Sequence, residues 1–308
     1  MINPSIKGYL AVIAASIMWA SSGAISKALF NEGMTPYDLV QIRVTFASLV
    51  FGAYLLAFHR PLLKISRSDL KWVFIHGALV MALVQISYFY TISKLQLMTA
   101  LLLQYLSPII VAIFAVSFWG ERMTLLKFLA IVLAFSGCFL ALGGYNLNNL
   151  RLNVEGITGG LIAALSYSVY CLLGEKLMCR YSPWTVVFYA LFFASFTWHV
   201  VHPPFKYLHA SYMTHHIFAL SFIILVGTIG AFSLFFWGIN YIRSTRAMIT
   251  ATLEPVSAGV IAWIFLGEKL EPLQILGAVL SVCAIVLLQI GMEQDHLAPQ
   301  SLRCAENP

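Results

Sequence analysis

The chain has 308 residues, of which 60% are hydrophobic and only 10% are charged, and its mean hydropathy is +0.86. A soluble domain carries about 25% charged residues, so this composition cannot cover a water-exposed surface and predicts an all-α integral membrane protein. The net charge of +6 is no argument for a nucleic-acid partner, because lysines and arginines mainly orient membrane proteins.

Apolar segments follow one another along almost the whole chain, each close to the length of about 20 residues that a bilayer-spanning helix needs. The connections between them are short, and the sequence lacks the alternating segments of about ten residues that are typical of outer-membrane barrels. We therefore predict ten transmembrane helices, over residues 8–30, 36–58, 70–91, 97–119, 125–144, 156–178, 184–202, 217–240, 247–266 and 272–291, followed by a polar cytoplasmic tail at 292–308.

Lysine and arginine are unevenly divided between the two sides of this arrangement. The termini and the loops after segments two, four, six and eight hold twelve of them, and the opposite side holds five. Basic residues accumulate on the cytoplasmic side, so both termini are predicted to be cytoplasmic. Short loops and the absence of an organelle signal favour a bacterial cytoplasmic (inner) membrane.

The chain contains an internal repeat with an offset of 147 residues. Residues 104–142 and 251–289 are identical at 11 of 39 positions without a gap, and Pro108 matches Pro255. The offset divides the chain into a first repeat at 1–145 and a second repeat at 146–291, each with five segments. Because five is odd, the second repeat would be inverted in the membrane, an arrangement that lets a midplane site open to one side and then to the other.

Four stretches of the sequence match the pattern of a known family. They are LLQYLSPIIVAIFAVSFWGERMT, TLEPVSAGVIAWIFLGEKL and, near the N-terminus, MWASSGAISKAL and QIRVTFASLVFGAYL. With them the sequence resembles the drug/metabolite transporter superfamily, and specifically its EamA-like family. The resemblance implies a ten-helix carrier of small organic solutes, often an exporter of amino acids or other metabolites. One position departs from the repeat, since Ser107 stands where the second half has Glu254.

Two charges lie deep inside predicted helices and are the first candidates for a substrate site. An ionisable residue within a membrane span is by default a functional hypothesis. Glu254 precedes Pro255, which removes a backbone donor and frees a carbonyl, so the pair could bind a cation, a proton or an amine, or simply fix a kink. Arg43 could hold a substrate carboxylate with its fork of donors, or it could be a buried partner for Glu254 or for backbone carbonyls.

Further candidates are polar or aromatic residues near the middle of their segments, which either line a cavity or pack against other helices. They are Trp19, Ser22, Tyr88, Gln104 and Tyr170. Pro108 and Pro255 are predicted helix kinks. Structural turns are predicted at two Gly-Glu pairs that end helices, Gly120 with Glu121 and Gly267 with Glu268.

The sequence contains none of the motifs GxxxxGK[ST], HExxH and GxSxG, and no cysteine or histidine spacing typical of a metal site. We therefore expect no enzyme activity, no cofactor and no metal. The favoured function is a secondary transporter that moves an amino acid or related solute, with export expected, by alternating access. The alternative is a flippase-like handler of an amphipathic lipid or a lipid-linked metabolite. The expected partners are a small-molecule substrate and membrane lipid, for a monomer or a homodimer.

Overall fold

The computed structural model describes residues 4–95, 97–145, 154–202, 216–266 and 271–292, and every regular element in these ranges is a helix. Two helices are interrupted by a π-helical segment: α3 consists of Leu70–Phe74, Ile75–Met81 and Ala82–Lys94, and α9 of Ile217–Ile224, Leu225–Gly230 and Ala231–Ala251. The other helices are α1 (Pro4–Asn31), α2 (Pro36–Phe58), α4 (Leu97–Gln104), α5 (Ser107–Trp119), α6 (Leu125–Ala141), α7 (Val154–Leu177), α8 (Pro183–Val201), α10 (Leu253–Leu266) and α11 (Pro272–Met292), with a short 3-10 turn at Arg60–Leu63.

The helices have the length and composition of a multi-pass membrane protein. Within the described ranges, seven helices are long and apolar enough to cross a bilayer, namely Pro4–Asn31, Pro36–Phe58, Leu70–Tyr88, Ala100–Trp119, Val154–Leu177, Pro183–Val201 and Ile217–Ala251. Leu125–Ala141 and Pro272–Leu288 are shorter apolar helices.

Local sequence signals explain several helix starts. Thr35 caps α2 by accepting a hydrogen bond from the Asp38 amide at 3.1 Å, and Thr124 caps α6 by accepting one from the Lys127 amide at 3.3 Å. A threonine oxygen in this position satisfies one of the backbone donors that have no partner inside the helix. Prolines at the first turn of α2 and α8 fit there because their missing N–H is not needed.

The helix breaks differ in detail from the segments expected from the sequence. The predicted segment 97–119 is divided by a break at residues 105–106, so that Pro108 lies in the first turn of α5. The expected connection between 240 and 247 is mostly helical, because only Arg243 leaves the helical conformation there, and the chain breaks again at Thr252. Pro255 then lies in the first turn of α10, where a proline is tolerated for the reason given above.

Small residues bring the helices of the bundle into close contact. A Cβ atom added to Gly137 on α6 would lie 2.7 Å from the Ser281 backbone nitrogen on α11 and 2.8 Å from the Gly277 carbonyl oxygen. The two helices therefore pack backbone to backbone, which is how membrane helices gain van der Waals contact in the absence of a hydrophobic driving force.

At one end of the bundle, the Asp69 carboxylate in the connection before α3 accepts several hydrogen bonds. Arg180 donates to the two oxygens of Asp69 at 2.9 and 3.2 Å, and the Tyr181 hydroxyl donates to Asp69 at 2.7 Å. The Tyr181 oxygen also accepts a hydrogen bond from the Ser66 amide at 3.1 Å. These bonds hold the connection after α2 against the turn after α7.

We predict that Asp69→Asn lowers the thermal stability of the purified protein at neutral pH. Tyr181 first, and then Arg180, hold the pKa of the Asp69 carboxyl below its ordinary value of 3.8. A lowered folded-state pKa means that this stabilisation is present above the unfolded-state pKa and is lost as the pH falls through the folded one. The difference in melting temperature between wild type and variant should therefore shrink below about pH 4. A difference that stays constant between pH 7 and pH 3 would contradict this assignment.

Candidate functional site

Two helix breaks meet inside the bundle at Glu254. The Glu254 side chain lies in the first turn of α10, and its carboxylate accepts a hydrogen bond of 2.9 Å from the hydroxyl of Tyr105. Tyr105 belongs to the break between α4 and α5, and its hydroxyl also lies 3.5 Å from the Ala251 carbonyl oxygen at the end of α9. A carboxylate is favoured at the N-terminus of a helix, where the backbone amides carry partial positive charge.

The two breaks lie at the same place in the repeat. Tyr105 and Thr252, the residue between α9 and α10, are 147 residues apart. In both places a proline follows three residues after the break, which explains why the helix restarts there with the proline in its first turn. The repeat therefore brings two interrupted helices together at one point, and the second of them places a carboxylate there.

Arg43 is the opposite charge of this region. It lies half-buried on α2, and its Nε donates to the Thr228 hydroxyl at 3.2 Å. Thr228 belongs to the π-helical segment of α9, and its own hydroxyl donates to the Ile223 carbonyl at 2.8 Å. The wider π-helical turn thus presents a side-chain acceptor to the guanidinium group. Such segments are frequent at functional sites.

Arg43 and Glu254 attract each other across the interior without touching. Each feels the charge of the other, and Tyr88 on α3 is close enough to interact electrostatically with both. Among the described residues no carboxylate lies within 4.0 Å of the Arg43 guanidinium. These opposite charges, with a tyrosine that interacts with both, are the candidate site for a polar solute that carries both charges.

The residues expected on α1 pack against α9. The Trp19 ring lies 5.2 Å from the Phe232 ring and 5.1 Å from the Phe235 ring. Ser22 is buried against Gly227, where an added Cβ would lie 2.2 Å from the Ser22 hydroxyl oxygen. Because Gly227 precedes the partner of Arg43, Ser22 lies at the edge of the charged site, whereas Trp19 lies in the neighbouring aromatic packing.

Tyr170 belongs to the same aromatic packing and not to the charged pair. Its ring stacks on the imidazole of His76 with centroids 4.6 Å apart, and Phe236 meets it edge-on at 5.1 Å. The Tyr170 hydroxyl and both ring nitrogens of His76 are buried without a hydrogen-bond partner among the described residues. The π-helical segment of α3 contains His76, so both π-helical segments contribute polar side chains to the interior.

Gln104 is the last residue of α4, directly before Tyr105. Its amide oxygen is buried and has no hydrogen-bond partner in the part of the chain that the structure describes. An unpaired acceptor of this kind costs about 1–3 kcal/mol, and a donor on a bound solute would remove that cost. Gln104 thus lies next to Tyr105, the residue whose hydroxyl binds Glu254.

The Gly-Glu pair after α5 has an additional role that the sequence did not indicate. Gly120 ends the helix in a left-handed conformation with φ 63°, which glycine adopts without steric cost. The Glu121 side chain is buried and contacts α6 and α9 through Lys127, Arg243 and Thr245. Gly267 and Glu268, the corresponding pair, lie outside the described residues.

Comparison with known proteins gives the family. The model of the EamA-like transporter family matches residues 6–143 and 154–290. The chain belongs to the EamA-like transporter family. Its members are transporters, and the two matched stretches together contain the charged site described above.

Individual relatives of this EamA-like protein are distant but match along most of their length. An "Uncharacterized inner membrane transporter YicL" of Salmonella typhimurium is 27% identical over 92% of this chain and 95% of the relative. A "Probable terminal-alkyne amino-acid exporter" of Streptantibioticus cattleyicolor is 26% identical over 95% of this chain and 98% of the relative. A solved crystal structure superimposes with a TM-score of 0.76 over 93% of this chain and 98% of that one, at 18% identity, which shows a shared fold.

We predict that Tyr105→Phe destabilises the protein by about 1–3 kcal/mol, because it leaves the partly buried Glu254 carboxylate without its hydroxyl donor. The effect should be smaller when Glu254→Gln is already present, giving a coupling energy of about 0.5–3 kcal/mol in a double-mutant cycle of unfolding in detergent. Tyr54→Phe, on the exposed face of α2, is the control and should change stability by less than about 0.5 kcal/mol. Additive effects of Tyr105→Phe and Glu254→Gln would show that the hydroxyl and the carboxylate do not interact.

Proposed function

We propose that this EamA-like protein is a secondary carrier that moves a small organic solute across the bacterial inner membrane by alternating access. Ten transmembrane helices in two inverted five-helix repeats, at 1–145 and 146–291, would surround one central site. Both termini and the tail at 292–308 would be cytoplasmic. The observation that supports the proposal is the pair of partly buried opposite charges that interact across the interior, Arg43 on α2 and Glu254 at a helix break.

The chemistry of this pair favours a solute with both an anionic and a cationic group. Arg43 suits a carboxylate, because its guanidinium group offers a planar fork of donors. The Glu254 carboxylate suits an ammonium group. An amino acid or a related metabolite carries both groups, and the amino-acid exporter from Streptantibioticus supports this substrate class and the export direction.

The remaining candidate residues have supporting roles in this proposal. Tyr88 would contact the bound solute between the two charges, and Gln104 would accept a hydrogen bond from it. Ser22 would border the site beside Thr228, while Trp19 and Tyr170 would form its apolar wall. Pro108 and Pro255 would mark the points at which the interrupted helices bend during the cycle.

A lipid substrate is the second possibility that the sequence leaves open. An amphipathic lipid would need an opening between helices through which its acyl chain could remain in the bilayer. A ligand library that contains lysophospholipids and lipid-linked sugars beside amino acids and other metabolites therefore separates the two functions in one experiment.

We predict that at least one amino acid or related zwitterion raises the melting temperature of the purified wild-type protein. Arg43→Gln and Glu254→Gln should each weaken the binding of this ligand by about ten-fold or more, because each variant removes a hydrogen bond to a charged group. Binding is measured by the shift of the thermal transition over a range of ligand concentrations.

Val260→Ala is the matched control for Glu254→Gln, because Val260 lies on the same helix with its side chain exposed at the surface of the bundle. It should bind the ligand as wild type does. Stabilisation by lipids alone would replace the proposed function with the lipid-handling one. Equal ligand affinity in wild type, Arg43→Gln and Glu254→Gln would contradict the assignment of the site.

A further inference from the structure

A second group of charges is buried at one end of the bundle, away from Arg43 and Glu254. Lys127 on α6 pairs with Glu121 at 3.1 Å, and Arg243 on α9 pairs with Glu175 on α7 at 3.1 Å and approaches Glu121 at 3.7 Å. The side chains of the first two are 6% and 8% exposed, and those of Arg243 and Glu175 are 15% and 5% exposed. We call these four residues, with the hydroxyls of Ser244 and Thr245 that bind them, the charge cluster.

The charge cluster joins the two halves of the sequence. Glu121 and Lys127 come from residues 1–145, whereas Glu175 and Arg243 come from residues 146–291. Thr245 donates to Glu121 at 3.1 Å and so adds a second link between the halves. Removing one partner of a buried ion pair costs stability, because the other charge is left without compensation. Separation of the halves at this end breaks the contacts of Glu121 with Arg243 and Thr245, whereas the Lys127–Glu121 and Arg243–Glu175 pairs each lie within one half.

Glu175 also holds a strained turn in α9. Arg243 has φ 68° and ψ 163°, a backbone conformation that is almost confined to glycine and costs about 1–3 kcal/mol. Glu175 accepts hydrogen bonds from the Ser244 amide at 2.8 Å and from the Ser244 hydroxyl at 2.5 Å. The carboxylate therefore stabilises the turn and the Arg243 side chain together, and the turn is relieved of its strain when the carboxylate leaves.

The sequence does not repeat this cluster at the other end. With the offset of 147 residues, Glu175 and Arg243 correspond to Ala28 and Gln96, and Lys127 corresponds to Gln274. In an inverted repeat, corresponding positions lie at opposite ends of the bundle, so the two ends are closed by different chemistry. Of the four charged cluster residues only Glu121 has a charged counterpart, Glu268, and this asymmetry between the repeats is one that the cycle of a carrier can use.

We infer that the charge cluster is the gate that closes the solute pathway at one end of the bundle. This end carries the connections after α2, α5 and α7 and the turn at Arg243, and it is the predicted cytoplasmic end. The gate opens when Glu175 releases Arg243 and Ser244 and the turn at Arg243 relaxes. The inference rests on the proposed carrier function, which it extends by assigning gate residues that do not touch the solute.

The chain contains its own reporter for this gate. Cys171 lies on α7 one turn before Glu175, with a fully buried side chain. If the gate opens, water and a small hydrophilic methanethiosulfonate reagent reach Cys171 from that end only. The reaction is measured by mass spectrometry of the Cys171 peptide, in membrane vesicles of either orientation, and it requires no solute.

We predict that Glu175→Gln raises the rate of labelling at Cys171 by about ten-fold or more from the cytoplasmic side, because the variant weakens hydrogen bonds to a buried charge. Labelling from the other side stays at the wild-type rate. Glu155→Gln is the matched control, since Glu155 also pairs with a lysine, Lys94, at 2.6 Å, but is 62% exposed. It leaves the labelling of Cys171 unchanged from both sides.

Arg243→Gly is the second variant, because glycine accepts the backbone conformation at this position while the charge is removed. It should give the same one-sided rise even if Glu175→Gln does not fold. An unchanged rate, an equal rise from both sides, or loss of folding in both variants would each overturn the gate and leave the cluster a structural staple. A one-sided rise in a protein that binds no solute would instead refute the proposed solute site alone.

Discussion

A charge inside an apolar helix bundle must be compensated by other groups of the protein, because hydrocarbon offers no hydrogen bonds. Two groups of such charges in the described part of the chain are compensated in different ways. In the charge cluster, direct ion pairs and hydroxyl groups surround each carboxylate. At the centre, Glu254 receives a hydroxyl from Tyr105 and Arg43 binds Thr228, while the two opposite charges remain apart. Two opposite charges that remain apart can each bind a group of a solute. Charges that already pair directly with each other are not available to it.

The two places are connected by a single short piece of helix. Residues 244–251 run from the strained turn at Arg243 to the break at Thr252, and Glu254 follows in the first turn of α10. These eight residues are about 12 Å long at 1.5 Å per residue, and their side chains are buried throughout. On the proposed gate, a change of the backbone at Arg243 would shift this helical segment and the Ala251 carbonyl, which lies 3.5 Å from the Tyr105 hydroxyl. This supplies a physical route by which the state of the gate and the geometry of the solute site influence each other.

The sequence predicted the helical membrane fold and the family, because hydropathy over about 20 residues and the paired Pro and Gly-Glu motifs are strong signals. It also singled out Arg43 and Glu254, since charges in apolar segments are rare. It did not predict Thr228 as the partner of Arg43, because a threonine in an apolar helix is unremarkable and the π-helical turn that exposes it has no sequence signature. The contact between Tyr105 and Glu254 could be predicted from the sequence only in part. Tyr105 lies one repeat length before Thr252, which indicates a corresponding position in the two halves, but nothing in the sequence indicates the hydrogen bond. Glu175 and Arg243 read as ordinary residues at helix ends, and their pairing depends on tertiary packing.

The most direct test of the central claim is solute counterflow in proteoliposomes. The purified protein is reconstituted with a high internal concentration of an unlabelled ligand found by thermal shift, and the same ligand, labelled, is added outside. A carrier with one alternating site will accumulate the label transiently above its external concentration, and Glu254→Gln will lose this overshoot while Val260→Ala keeps it. If no stabilising ligand shows an overshoot, or if Glu254→Gln accumulates label as wild type does, the buried charges are not the solute site of a carrier.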